Sequence, residues 1–270
     1  CKDKFFEINI PTLIINIIFA YNILTMKRLS AYLILLLFFS CNNKKNEDTR
    51  SYNYPSSKVW KHGVYSKYDA QKFEDVFDGL EVDVIYSPEK DNIYVGRVVA
   101  DTSKNLTLDE WFSVLKKPDE THYWIDFKNL SEKNVEQAMK VLNNLDERYG
   151  FKKNTFVESK NLKVLKVVKE NEFRTLLWVE NIKYWMKKEH EDSVYLAKMI
   201  RSKIEELHPD AISCEYSMYP FLCDSFPEQN IHFWDTPKDF TPENVDFTKE
   251  LCNNKSVKVV LVDYPTPDIF

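Results

Sequence analysis

The residues of this sequence best suited to chemistry are acids and bases spaced two apart at the ends of apolar runs. Glu81 and Asp83 stand at i and i+2, as do Asp126 and Lys128, and in an extended strand each pair projects to one side. Other runs end in or beside polar residues of the same kind: His62, Glu158, Glu215, Asp235 and Asp263. Two carboxylates from one strand and a third from its neighbour make an oxygen-rich site suited to a hard divalent cation, Mg²⁺ or Ca²⁺. Such a cation screens a substrate's negative charge and polarises a phosphoryl oxygen. A glycosidase that uses two of these acids without any cation is an alternative from another class, and it needs them opposite each other across a pocket.

The elements that must position these groups follow one repeating pattern. After a polar stretch at 42–57, runs rich in Val, Ile, Phe, Tyr and Trp alternate with amphipathic helical spacing, the signature of stacked βα units around a parallel sheet. Eight strands are predicted, at 58–64, 80–86, 122–127, 155–158, 174–179, 211–215, 231–234 and 257–262. Between them, a helix is predicted after an N-cap at Ser131, another on Val194, Ala197, Ile200 and Ile204, and a third opened by Thr241-Pro242-Glu243. The fold class is therefore α/β, a single-domain (β/α)₈ TIM barrel over 58–270, with an open doubly wound sheet as the alternative. A barrel explains the placement of the polar residues, because loops at the C-terminal strand ends converge on one mouth.

Composition narrows the partners. A net charge of −5 gives no general attraction to nucleic acid, so none is expected as a partner. The four glycines, Gly63, Gly79, Gly96 and Gly150, lie too far apart to form a phosphate-cradling Gly-rich loop. Cys214, Cys223 and Cys252 lack C-x-x-C spacing, which argues against structural zinc; two of them could pair in an exported protein. Most of the aromatic residues are expected in the core, while Tyr216, Tyr219 and Phe221, after the sixth strand, are candidates to wall the mouth and stack on a ligand.

At these positions the sequence resembles the glycerophosphodiester phosphodiesterase family of phospholipase-C-like barrels. The family's His-Arg-Gly, Glu-x-Asp, Glu-x-Lys, strand-seven Trp and Thr-Asp-x-Pro motifs correspond, in order, to His62-Gly63, Glu81-Val82-Asp83, Asp126-Phe127-Lys128, Trp234 and Val262-Asp263-Tyr264-Pro265. The stretch Trp60 to Lys67 is also similar to the opening of the menorin-like branch. The resemblance implies a cation held by Glu81, Asp83 and Asp126, with His62 as general base and Lys128 on the phosphate. Its implied substrate is a small phosphodiester or one derived from a glycerophospholipid, with Glu158, Glu215, Trp234 and Tyr216 as candidate contacts. Two departures stand out. Lys61 precedes His62 where the family has Arg after it, and the family's second histidine is absent from Ile93 to Arg97. Arg97 can stabilise phosphoryl charge but cannot donate a proton at neutral pH. His122, His190, His208 and His232 are expected to be structural or exposed, with His232, two residues before Trp234, the nearest to the site. A non-catalytic barrel that binds a phosphorylated or carbohydrate ligand at the same mouth is the rival reading.

The N-terminal region looks like a bacterial lipoprotein signal. Lys27 and Arg28 precede an apolar run, Leu29 to Phe39, too short to span a bilayer, and Ser40-Cys41 follows. The resemblance implies acylation of Cys41 and anchoring at the bacterial cell envelope. Residues 1–25 then read as an upstream extension, 26–40 as the signal and 41–57 as a polar tether; a spanning segment at 8–24 is the alternative.

Overall fold

The computed structural model describes residues 52–104, 106–181, 193–234 and 236–267. Cys41, the signal at 26–40, the tether to residue 51, His190 and Asp235 lie outside the described residues.

The chain alternates strands and helices: β1 (Val59–Lys61), α1 (Lys67–Glu74), β2 (Gly79–Ser87), β3 (Asn92–Val95), α2 (Leu108–Phe112), β4 (His122–Phe127), α3 (Val135–Tyr149), β5 (Thr155–Ser159), α4 (Leu162–Glu170), β6 (Arg174–Trp178), α5 (Ser193–Leu207), β7 (Ala211–Glu215), α6 (Tyr219–Ser225), β8 (Ile231–Trp234), α7 (Pro242–Asn253) and β9 (Val257–Val262). Strands pair in the order β1-β9-β8-β7-β6-β5-β4-β2, all parallel, and β1 also pairs with β2 through Lys61 and Leu80. That last pairing closes an eight-stranded barrel and excludes the open sheet, which would leave β1 and β2 unpaired with each other.

Three local readings are corrected. Ile93 to Val95 belongs to an additional strand, β3, which folds back antiparallel on the far end of β2. The third helix begins at Val135, with Asn134 at its N-cap instead of Ser131. Asn134 Oδ1 accepts the Ser131 N–H at 2.7 Å, so Ser131 belongs to the preceding turn. Helix α5 buries Leu196, Ile200 and Leu207 and leaves Val194 exposed, so its apolar stripe is rotated from the predicted one. The cap at Thr241 forms as predicted, its hydroxyl accepting from Asn244 N at 3.3 Å.

Strand alternation splits the core in two. Val82, Val84, Ile125, Phe127 and Leu177 pack outward in the sheet–helix cluster, while Trp60, Trp124, Phe156 and Leu261 are buried apart from that cluster, on the alternate positions that face the barrel axis. Gly79 is required beside Trp60, because a Cβ there would sit 2.1 Å from the indole. Tyr54 stacks on Phe156, with ring centroids 5.8 Å apart, and its hydroxyl meets His232 Nε2 at 3.0 Å, so this end of the barrel is filled by aromatic rings. Cys214, Cys223 and Cys252, the cysteines among the described residues, form no disulfide with one another. Among the described residues, no helix is long and apolar enough to cross a membrane.

Candidate active site

Strand register assembles the site. Asp83 on β2 lies opposite Asp126 on β4, and Asp126 lies opposite Glu158 on β5, so three acids stand in one row across adjacent strands. Glu81, one inward position nearer the barrel's middle, joins them. Glu81, Asp83 and Asp126 each present an oxygen, all within 4.8 Å of one another, and both Glu81 and Asp83 are buried.

Cationic groups offset this charge from the rim. Lys128 Nζ bridges Asp83 Oδ1 and Asp126 Oδ2, Arg97 Nε lies 3.1 Å from Asp83 Oδ2, and the Tyr65 hydroxyl donates to the same oxygen. Barrel closure brings in an imidazole. His62 follows β1 and Asp263 follows β9, and His62 Nδ1 lies 2.9 Å from Asp263 Oδ1, while Nε2 lies 3.8 Å from Glu81 Oε2. Gly63, in the left-handed region at φ 68°, turns the chain so that its N–H donates to Glu81 Oε2 at 2.7 Å.

Burial and crowding perturb the titrations. Burial, reinforced by the Asp83 charge, pushes Glu81 up to about 8. Burial also raises Asp126 against the pull of Lys128, and it raises Glu158 well above its ordinary value; Glu158 Oε2 has no hydrogen-bond partner among the described residues. Burial disfavours protonated His62, but the Asp263 hydrogen bond and the Glu81 charge outweigh it, so its pKa is raised. By contrast, burial lowers His122 to about 4 and His232 to about 3, which keeps both rings neutral and structural.

His62, Glu81, Asp83, Asp126 and Lys128 line a cavity of about 140 Å³ together with Arg97, Trp124, Glu158, Lys160, Trp178, Trp234 and Leu261. Glu215 and Tyr216 do not line it. Glu215 is bonded to Asn181 and to Ser217 Oγ, the latter at 2.9 Å, and a 3₁₀ turn directly after β7 lays Tyr216 edge-on against Phe247. Tyr219 packs on Phe233 in the same way, so the aromatic walls are Trp178 and Trp234 instead. Sequence reading missed Tyr65, Lys160 and Trp178. Lys160 repeats the signal that singled out Lys128, since it stands two residues beyond a strand-end acid, Glu158; its Nζ lies 4.3 Å from the Trp178 ring.

No protein-family model and no curated protein matches the sequence. Solved structures do. A glycerophosphodiester phosphodiesterase from Parabacteroides distasonis superposes with a TM-score of 0.55 at 13% identity, over 79% of this chain and 95% of that one. A second from Agrobacterium tumefaciens gives 0.51 at 14% identity, over 79% and 98%. A phosphodiesterase from Oleispira antarctica, in complex with its product sn-glycerol-3-phosphate, gives 0.55 at 13% identity, over 78% and 94%. This chain has the glycerophosphodiester phosphodiesterase fold.

The likeness is one of fold, and the chemistry rests on this cavity's own side chains. They fit a divalent cation: three hard oxygen donors converge, and Glu81 and Asp126 are raised first by burial and further by the neighbouring Asp83 charge, a cost that a bound cation would relieve. Where the resemblance implies a second histidine, this glycerophosphodiesterase-like barrel has β3. Gly96 N donates to Asp83 O at 2.9 Å, and this bond delivers Arg97 to the Asp83 carboxylate.

Proposed function

We propose that this chain is a divalent-cation-dependent phosphoric diester hydrolase acting on glycerophosphodiesters, held at the bacterial cell envelope by a lipid on Cys41. One observation carries the catalytic part. The carboxylates of Glu81, Asp83 and Asp126 converge within 4.8 Å at a barrel mouth that also holds His62, hydrogen-bonded to Asp263 at 2.9 Å. The anchor rests on the Lys27 to Cys41 signal pattern.

A bound Mg²⁺ or Ca²⁺ would draw negative charge from the phosphoryl oxygens. The protein does the rest. Asp263 accepts from His62 Nδ1–H and so fixes the tautomer, which leaves Nε2 as the acceptor facing Glu81 and the cavity. Nε2 is thus placed to take the proton of the attacking hydroxyl. Lys128 and Arg97, already turned inward by Asp83, hold the non-bridging oxygens, and Trp178 and Trp234 wall the space for an alcohol substituent.

A second reading is favoured by Arg97 itself. It occupies the second histidine's place and cannot protonate a leaving oxygen, which suits a barrel that binds a phosphorylated or carbohydrate ligand with little turnover. Incubating the full chain with glycerophosphocholine, with Mg²⁺, Ca²⁺ or EDTA, separates the two. Release of sn-glycerol-3-phosphate that needs a cation and is lost in Glu81→Gln and His62→Asn is expected. Saturable binding of sn-glycerol-3-phosphate without any release would establish the second reading in its place.

A further inference from the structure

Three long cationic side chains line the acidic cavity, and two of them are committed to its carboxylates. Lys128 Nζ bridges Asp83 and Asp126, and Arg97 Nε lies 3.1 Å from Asp83 Oδ2. Lys160 is held differently. It lines the same cavity, but its Nζ lies over the Trp178 ring, 4.3 Å from the centroid, and among the described residues it forms no ion pair. Its charge still reaches the cluster, where it helps to hold down the Asp126 carboxyl.

Strand order fixes where this ammonium stands. Round the barrel, β1 is followed by β2, β4, β5 and β6, so His62 flanks the acidic row on one side. On the other side the register pairs Ser159 of β5 with Leu177 of β6, which sets Lys160 beside Trp178 just past the strand ends. His62 receives the proton of the attacking hydroxyl in the hydrolase reading, and an in-line displacement at phosphorus sends the leaving alcohol to the opposite side. That is the side of Lys160.

The cavity walls favour a polar alcohol there. Glu158 is 3% exposed and its Oε2 has no hydrogen-bond partner among the described residues, and the same is true of the buried indole nitrogens of Trp124 and Trp234. Such atoms are costly to leave unpaired, and a hydrocarbon substituent would leave them so. Lys160 then sets the sign of the charge. A cationic substituent would find the Trp178 face already occupied by an ammonium, whereas an anion would meet that ammonium already held in place. With one free ammonium and about 140 Å³ to share with the phosphodiester itself, a compact, singly charged carboxylate is the anion that fits.

We propose that Lys160, seated on Trp178, is a specificity-determining residue that selects phosphodiesters whose leaving alcohol carries a carboxylate. The assignment to a leaving alcohol rests on the hydrolase reading given above; the preference for an anion on this side of the cavity does not.

The test uses the full chain with Mg²⁺ and two matched pairs. Glycerophosphoserine and glycerophosphoethanolamine differ by one carboxylate and are compared as substrates. Phosphoserine and phosphoethanolamine differ in the same way, and their binding is followed by calorimetry, which requires no turnover. The unmodified protein is expected to favour the carboxylate-bearing member of each pair by roughly tenfold, in kcat/KM and in Kd. Lys160 is exposed, so its substitution does not endanger the fold. Lys160→Met keeps an unbranched stem and should bring both ratios close to one, Lys160→Arg should preserve them, and Lys160→Glu should reverse them. Hydrolysis of both diesters without preference, or with a preference that Lys160→Met leaves intact, would overturn the proposal and leave the hydrolase reading standing. A Lys160-dependent preference for phosphoserine in binding, with no hydrolysis of either diester, would support the charge selection and overturn the hydrolase reading. Equal binding of the two monoesters with no hydrolysis would overturn both.

Discussion

Glu81 offers the sharpest test of the acidic cluster, through stability instead of turnover. Its carboxyl is buried, lies beside Asp83 and is pushed from an ordinary value of 4.5 up to about 8. In the cation-free protein the unfolded chain releases this proton near 4.5, while the folded chain keeps it until about 8. The native state therefore binds more protons across that interval, and stability falls as pH rises through it. At ~1.4 kcal/mol per pH unit the full interval corresponds to about 5 kcal/mol. The raised His62 acts in the same direction above its ordinary value of 6.5, so the wild-type slope alone does not isolate Glu81. Glu81→Gln does isolate it. The amide keeps an acceptor for Gly63 N–H and has no proton to lose, so in EDTA the variant should match wild type near pH 4 and exceed it by several kcal/mol at pH 9. Urea denaturation at six pH values between 4 and 9 measures this. Mg²⁺ or Ca²⁺ at a hundredfold excess over Kd should add roughly 2.7 kcal/mol to wild type at alkaline pH, offsetting about half of that loss, and should do little for the variant. A cation-free wild type equally stable from pH 5 to 9, or a variant with the wild-type slope, would refute the crowding of carboxylates on which the cation site depends.

Three further outcomes follow from named contacts. Arg97→His should raise kcat on a glycerophosphodiester at least tenfold at pH 7 by supplying a proton donor, whereas Gly96→His should fail to fold against Asp101; unchanged turnover in a folded Arg97→His would show that proton donation is not what limits the reaction. Gly79→Ala should cost about 3 kcal/mol, because its Cβ would overlap the Trp60 indole in the barrel interior, and a thermal melt within a degree of wild type would contradict the packing. Cys41→Ser should move the protein from the membrane to the soluble fraction without altering its melting curve; retention after a carbonate wash would favour a spanning segment at 8–24.

The parts legible in the sequence were those with a local cause. Glu81 and Asp83 face one way because strand side chains alternate, and the limits of β4, β7, β8 and β9 follow runs of apolar and β-branched residues bounded by polar ones. Even the oxygen-rich character of the site was legible, since i and i+2 spacing on two strands requires no knowledge of their neighbours. Contacts between distant segments were not legible. His62 meets Asp263 across 201 residues only because β1 pairs with β9, and it is the pairing of β1 with β2 as well that distinguishes a closed barrel from an open sheet with the same alternation. Strand register decided that Asp126 lies beside both Asp83 and Glu158. The β3 hairpin decided that Arg97 reaches Asp83, and the turn after β7 decided that Glu215 is bonded by Ser217 and that Tyr216 lies against Phe247. Periodicity states which face of a strand a side chain occupies; which other side chains share that face depends on closure and register, and these are set by the packing of the whole chain.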